Sequence, residues 1–344
     1  LRAELKNELE SAGLLGYRPG AVYLKAALLL LISVAFFAAF MLVPSWWLKV
    51  PLFLCGVSVN IGLVMMGHES GHGAISRRPF VNDLLGYVTF PLLSGLSHNY
   101  WRYKHNTLHH AYVNVDGKDP DIRIYPMAMN KHQRAQRFGL AWIVQRIQGF
   151  IFWPLTLFTV FAMRYDGAKF TVKAGRKAGN ARERVIDRAC LVGHLVGWFV
   201  VPVVFFHASL LAVVLFYTAW SALAGLLLGA VFIPAHMTKP IYSSYSDNFA
   251  LQVETTQNLL TNRIFSALLI GLDHQVEHHL FPRMSHLNVR KAAPIVRAYC
   301  KRNNLPYFEQ GWGAALWAST LRLHHDLPHY DPGAQPQPAA IGVI

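Results

Sequence analysis

Charge is scarce in this chain of 344 residues. Only 15% are Asp, Glu, Lys or Arg, and acids are scarcer than bases, 18 against 32, leaving a formal net charge of +14. Cysteine is nearly absent. Cys55, Cys190 and Cys300 lie far apart and form no C-x-x-C pair, so neither a redox nor a cysteine-based zinc argument can be built on them. No phosphate-binding glycine loop, internal repeat or second soluble domain shows in the pattern. Against so little charge stand 53% hydrophobic residues, which excludes an ordinary soluble domain. The basic surplus does not point to nucleic acid, because in a membrane chain Lys and Arg collect in cytoplasmic loops beside anionic lipid.

The long apolar runs set the layout. Residues 1–20 mix Glu, Lys and Arg with Leu at helical spacing and read as an amphipathic N-terminal segment ending near Gly16 and Pro19. Residues 21–43 have the length of a membrane span and no small-residue cleavage site, so the run is expected to stay in the mature protein. Pro44, Ser45, Trp46 and Trp47 then turn the chain at headgroup level into a second span, 48–66. Residues 84–96 are apolar but too short to cross. Arg77, Arg78, Arg102, Lys104, Lys118, Arg123, Lys131, Arg134 and Arg137 place the stretch after the second span in the cytoplasm.

Residues 140–163 suit a span in length, but Gln145, Arg146 and Gln148 interrupt them. A crossing here would export the next basic loop, Arg164 to Arg188, so the segment is expected to lie in the interface. Residues 189–206 and 210–233 form a second hairpin, turning at His207, Ala208 and Ser209 and delivering His236 to the cytoplasmic end. The expectation is an all-α integral membrane protein, four transmembrane helices in two hairpins under a cytoplasmic helical cap. The main domain covers 21–307. Residues 308–344 lose pattern and read as a partly disordered tail, its end rich in Pro and Gln, with His324, His325 and His329 as solvated surface.

Histidine is abundant where charge is not. Of 17 histidines, eight fall in three short windows: His68-Glu69-Ser70-Gly71-His72, His105-Asn106-Thr107-Leu108-His109-His110 and His274-Gln275-Val276-Glu277-His278-His279. At ~100° per helical residue, His68 and His72 share a face, as do His105 and His109, while His110 points elsewhere. Adjacent pairs can thus reach two different metals. Imidazole suits iron, zinc, copper and nickel. His68, His72, His105, His109, His110, His278 and His279, with His236, make eight imidazoles, more than one metal needs. Two metals sharing them, with a weak or open position at Gln275, is the natural partition; His274 is the alternative to Gln275 on helical phase. Glu69, Asp273 and Glu277 are candidates to orient ligating imidazoles. Asp119 and Asp121 read as loop-structuring residues, and His98, His132, His194, His207 and His286 as packed or surface histidines.

Other chemistries stay open at this point. His68 to His72 spells H-E-x-x-H, the helix motif of zinc proteases with Glu69 as general base, yet it uses only two of the histidines. A carboxylate-bridged di-iron bundle needs paired Glu-x-x-His motifs, and only Glu69 to His72 supplies one. A histidine-rich metal transporter would place ligands within its spans at mid-bilayer, whereas these windows sit beyond the apolar runs.

The set H-x3-H, H-x3-HH and Q-x2-HH, separated by hydrophobic hairpins, resembles the membrane fatty acid desaturase family. So do Trp101-Arg102-Tyr103-Lys104-His105-Asn106, Asp116-Gly117-Lys118-Asp119-Pro120-Asp121, residues 252–258 with Thr255 and Thr256, and Glu277-His278-His279-Leu280-Phe281-Pro282. The resemblance covers most of residues 20–307. It implies an oxygen-dependent oxidoreductase that desaturates an acyl-CoA or acyl-lipid at a non-haem centre of two irons on the cytoplasmic side. The iron ligands it implies are His68, His72, His105, His109, His110, His236, His278 and His279, with Gln275 where many relatives have histidine. The glutamine is typical of the branch that includes front-end desaturases. Related membrane hydroxylases use similar boxes and are the alternative. Front-end relatives often carry a fused cytochrome b5 with a His-Pro-Gly-Gly motif; this sequence shows none, so electrons are expected from a separate ferredoxin or cytochrome b5 type carrier with its reductase. Arg77, Arg78, Lys131, Arg134, Arg283, Arg290 and Lys291 could form its docking face, although contact with lipid headgroups accounts for the same charges.

Overall fold

A computed structural model describes residues 1–136 and 138–324; Arg137, His325, His329 and the rest of the expected tail lie outside the described residues. The described chain is predominantly helical, and its one sheet is two paired strands of three residues. Four helices are long and apolar enough to cross a membrane: Pro19–Leu42, Trp46–Gly71, Ala181–Phe205 and Leu210–His236. They form two hairpins, as the sequence implies. Pro19 opens the first helix at a position where its missing N–H costs nothing. At the turn into the second, Trp46 and Trp47 are exposed, and the Lys49 ammonium lies 5.4 Å from the Trp46 ring and 5.3 Å from Phe40. Such groups suit the headgroup layer.

Leu31, Leu42, Phe205, Phe206 and Leu211 face outward. Large apolar side chains left exposed along helices whose backbone is internally bonded are what a lipid environment requires. The second span is the central one, with 56% of its apolar window buried against 17%, 6% and 17% for the others. Two spans run further than hydropathy alone indicates. The second continues past Met66 to Gly71 and the fourth past Ile233 to His236, so both carry histidine beyond the apolar stretch on rigid helix.

Residues 140–163 form no helix long enough to cross a membrane. They break into Leu140–Arg146, Gln148–Thr156 and the start of Thr159–Lys173. The glutamines that interrupt the apolar run anchor it: Gln148 accepts from Ala128 N at 3.1 Å and donates to Ala128 O at 3.0 Å and Leu323 O at 2.8 Å. The N-terminal helix Arg2–Ser11 buries Leu5 and Leu9 against helix His286–Arg302, including Val289, Val296 and Tyr299.

One expectation needs correction. The chain after Tyr307 is not patternless as far as His324. Glu309–Gly311 pairs in parallel with Asn258–Leu260, and helix Trp312–His324 packs against Gln148–Thr156 and the fourth span. Its buried stripe is Ala315, Ser319 and Leu323. Two of those three are small, so hydrophobic periodicity reports the helix weakly. Trp312 donates to Ala230 O at 2.7 Å, and Trp153 to Thr320 Oγ1 at 2.8 Å.

Small residues allow the central helices to touch. A Cβ on Gly225 would lie 2.5 Å from the Thr156 carbonyl oxygen, which belongs to rigid backbone. Gly225→Ala should therefore destabilise the folded protein by about 1–3 kcal/mol, the usual cost of overpacking. Thermal unfolding in detergent checks this, and an unchanged midpoint would contradict the packing.

Candidate metal centre

Four separate pieces of chain bring imidazoles to one place. His68 and His72 close the second span, His105 and His109 ride helix Arg102–His109 with His110 directly after it, His236 ends the fourth span, and His278 and His279 sit on helix Gln275–Leu280. All eight predicted histidines converge, in two groups. The ligand nitrogens of His68, His72, His105 and His278 lie within 4.8 Å of one another, as do those of His109, His236 and His279. His110 joins the first group, its Nε2 3.0 Å from His105 Nε2 and 3.1 Å from His278 Nε2. The groups adjoin: the His110 ring stacks on His279 at 4.3 Å between centroids.

The partition departs from α-helical phase in one respect. Helical spacing pairs His105 with His109, but the structure pairs His105 with His110. Helix Arg102–His109 is a π-helix, whose i to i+5 bonding brings residue i+5 round to the face of residue i. In the third window α-helical phase holds. Gln275 and His279 share a face, and His278 points to the other group. Gln275 is buried and donates from Nε2 to Leu272 O at 2.7 Å. A backbone carbonyl only accepts, so the amide nitrogen must lie there, leaving Oε1 turned toward His236, with which Gln275 interacts. His274 belongs to neither group; its Nδ1 lies 3.1 Å from Asp273 Oδ1.

The orienting groups are not the carboxylates expected. Glu69 accepts from both the backbone N–H and Nδ1 of His286, which also leaves it unavailable as the general base of a zinc protease. Asp273 accepts from Thr261 Oγ1 at 2.7 Å and Ser266 Oγ at 3.1 Å, and Glu277 from Asn258 Nδ2 and Tyr307 OH, both at 2.8 Å. None of the three touches an imidazole of either group. Glu69 and Glu277 stand beside histidines on helices, where adjacent side chains diverge by ~100°; Asp273 precedes helix Gln275–Leu280 and bonds His274, which belongs to neither group.

Asp119, Gln252 and Thr255 hold the rings instead. His109 Nδ1 lies 3.2 Å from both oxygens of Asp119, His236 Nδ1 lies 3.0 Å from the Thr255 carbonyl, and His279 Nδ1 lies 2.8 Å from Gln252 Oε1. These acceptors take the Nδ1 proton and turn each Nε2 lone pair inward. Asp119 also shapes its loop, accepting from the backbone of Asn114 and Asp121, each at 2.9 Å. Its loop role was legible in the sequence; its hold on His109 was not, although an acidic loop ten residues after the window was the available signal.

Burial and the neighbouring imidazoles push the pKa of His72, His105, His110 and His279 well below the usual imidazole value, and that of His278 down to about 3. These rings are neutral at neutral pH, the form that binds a metal. His109 is the exception. Burial pulls its pKa down, but the Asp119 carboxylate outweighs burial and raises it. Beyond Asp119, burial would raise the Asp121 carboxyl, yet Lys104 at 2.6 Å holds it down at about 2.

The donor set fits a transition metal. Nε2 of His72, His236 and His279 is buried with no hydrogen-bond partner, a cost of about 1–3 kcal/mol for each if nothing fills the space. His68 Nε2 faces His105 Nε2 at 3.0 Å. Converging neutral nitrogens suit iron, zinc or copper rather than magnesium or calcium. Asp119→Ala should weaken metal binding about 10–100-fold, the usual effect of removing a partner that orients a ligand, while Asp273→Ala should leave it unchanged. Metal titration of the apoprotein checks both; equal effects would contradict the assignment of Asp119.

Comparison with known proteins agrees with this centre. Residues 44–311 match the fatty acid desaturase family. The acyl-lipid (9-3)-desaturase of the moss Physcomitrium patens is 26% identical over 81% of this chain and 54% of its own length. The sn-1 linoleoyl-lipid 6-desaturase of Synechocystis is 28% identical over 70% of each chain, and the Delta(6)-fatty-acid desaturase of Caenorhabditis elegans is 27% identical over 88% of this chain and 70% of its own. The chain thus spans about half the length of the moss relative it matches. With a matching region that contains all three histidine windows, this chain belongs to the fatty acid desaturase family.

Proposed function

We propose that the protein is an oxygen-dependent acyl desaturase that uses two irons to introduce a double bond into an acyl-CoA or acyl-lipid. The observation that carries this reading is the division of eight imidazoles and Gln275 into two adjoining nitrogen-lined groups at the ends of apolar helices. His68, His72, His105, His110 and His278 would hold one iron, and His109, His236, His279 and Gln275 the other. Bound there, the pair supplies the oxidising power that an unactivated methylene requires. Dioxygen and two electrons take up two hydrogens from the chain and two protons, leaving a carbon–carbon double bond and two waters.

The residues of this chain contribute placement. Helices that continue from the bilayer into the centre keep it next to lipid, where an acyl chain enters without crossing water. Asp119, Gln252 and the Thr255 carbonyl fix which nitrogen of each ring is offered. The basic loops between the hairpins support a cytoplasmic position for this face. His109→Ala should abolish formation of the double bond. Mass spectrometry of membrane lipids after expression reads the product. A new double bond supports desaturation, a retained oxygen atom would instead make the protein a hydroxylase, and turnover retained by the variant would remove His109 from the centre.

Electrons come, in this reading, from a separate carrier of ferredoxin or cytochrome b5 type. Arg77, Arg78, Arg283, Arg290 and Lys291 are exposed, and the Arg283 charge is felt at His72. Exposed cations beside the centre suit an acidic carrier. Arg283→Glu with Arg290→Glu should raise the carrier's apparent KM at low salt and leave kcat unchanged. An unchanged KM assigns these charges to lipid headgroups.

A further inference from the structure

We propose that Gln252 is the positioning residue that makes the second group of imidazoles a metal site and fixes its spacing from the first. The inference rests on the two-metal reading above and goes beyond it, because it assigns unequal origins to the two sites. Gln252 lies buried on helix Asn248–Thr255, outside the three histidine windows.

Its amide is read without ambiguity. On one side it lies 2.8 Å from the backbone carbonyl of His110. A carbonyl oxygen can only accept, so the Gln252 nitrogen must face it and the Gln252 oxygen must face the other way. On that other side, 2.8 Å distant, is His279 Nδ1. An amide oxygen can only accept, so Nδ1 must carry the ring proton and Nε2 must carry the lone pair. His279 Nε2 is buried with no partner. One carbonyl just past the π-helix thus dictates the tautomer of an imidazole on another element.

The two residues that Gln252 touches belong to different groups. The His110 ring reaches His105 and His278, whereas His279 stands with His109 and His236. A single side chain therefore holds one member of each group, and the rings of those two members stack at 4.3 Å. The same helix serves His236, whose Nδ1 meets the Thr255 carbonyl three residues further on. Two of the three imidazoles of the second group owe their orientation to helix Asn248–Thr255, and the third to Asp119. His110 Nδ1, in the first group, is buried with no partner at all.

From this asymmetry follows an asymmetric dependence. Losing the Gln252 acceptor frees His279 to rotate or to shift its proton to Nε2, which removes a ligand from the second site only. The test is iron loading of the full chain in detergent, read as iron bound per chain and by Mössbauer spectroscopy, for the native protein, Gln252→Met and Gln252→Glu. Methionine keeps the length and loses both hydrogen bonds; glutamate keeps an acceptor for His279 Nδ1. The second iron should bind about 10–100-fold more weakly in Gln252→Met, leaving one iron at concentrations that give two in the native protein. Gln252→Glu should hold two, with the spectrum of one altered. A Gln252→Met variant that holds both irons as tightly as the native protein overturns the proposal, as does a Gln252→Glu variant that loses the second. Should the methionine variant fail to fold by circular dichroism, the glutamate variant decides alone: two irons with one spectrum changed support the role, and loss or two unchanged spectra overturn it. A native protein that never binds two irons defeats the two-metal reading instead, a distinct outcome.

Discussion

The structure depends on keeping eight imidazoles together, largely out of water, with their Nε2 atoms turned toward one another. Neutral nitrogens crowded at 3.0–3.1 Å, with others bare and buried, form an arrangement that a chain would not adopt for packing alone. Burial keeps most of these rings uncharged and so keeps their lone pairs available. The arrangement is stable to the extent that something positive fills it, and a transition metal is the species that imidazole suits. The requirement then passes outward. Rings must be held by acceptors at Nδ1, acceptors must be held by loops and helices, and those must be anchored to elements that do not move.

The membrane helices are those anchors. His68 and His236 sit at the ends of two spans that continue past their apolar portions, so a scaffold fixed in lipid sets the position of the centre. Close glycine contacts join the spans to the short helices around them; Gly62 faces the Leu268 carbonyl as Gly225 faces that of Thr156. The broken segment 140–163 and helix Trp312–His324 pack together beside the fourth span, with Gln148 and Trp153 bonded across to Leu323 and Thr320. The polar cap is thus tied to the bundle at several places rather than hinged on one loop.

Much of this was legible in the sequence, for identifiable reasons. Span lengths and hairpin turns follow from hydropathy, seven of the eight ligand candidates from their clustering, and His236 from its place at the end of the fourth apolar run. Gln275 follows from helical phase, which sets it with His279 and leaves His274 aside. What escaped depends on conformation that local pattern does not encode. The π-helical winding of Arg102–His109 exchanges the partners of His105, so α-helical spacing misassigns His109 and His110. Glu69 and Glu277 drew notice as neighbours in sequence, which on a helix is the wrong kind of neighbour, and Asp273 as the neighbour of His274, which lies outside both groups. Gln252 and Thr255 act across long sequence separations; the stretch 252–258 stands out by its resemblance to the family, but its residues do not announce which ring each one holds. The final helix buries Ala and Ser where a search for periodicity looks for large apolar residues.

The central claim is that two metals, both iron, occupy two distinct groups of nitrogen ligands. Anomalous X-ray scattering from crystals of the purified protein at the iron edge addresses it most directly. Two iron peaks are expected, one enclosed by His68, His72, His105, His110 and His278, the other by His109, His236, His279 and Gln275. A single peak, or two peaks that follow the zinc edge instead, would contradict the account.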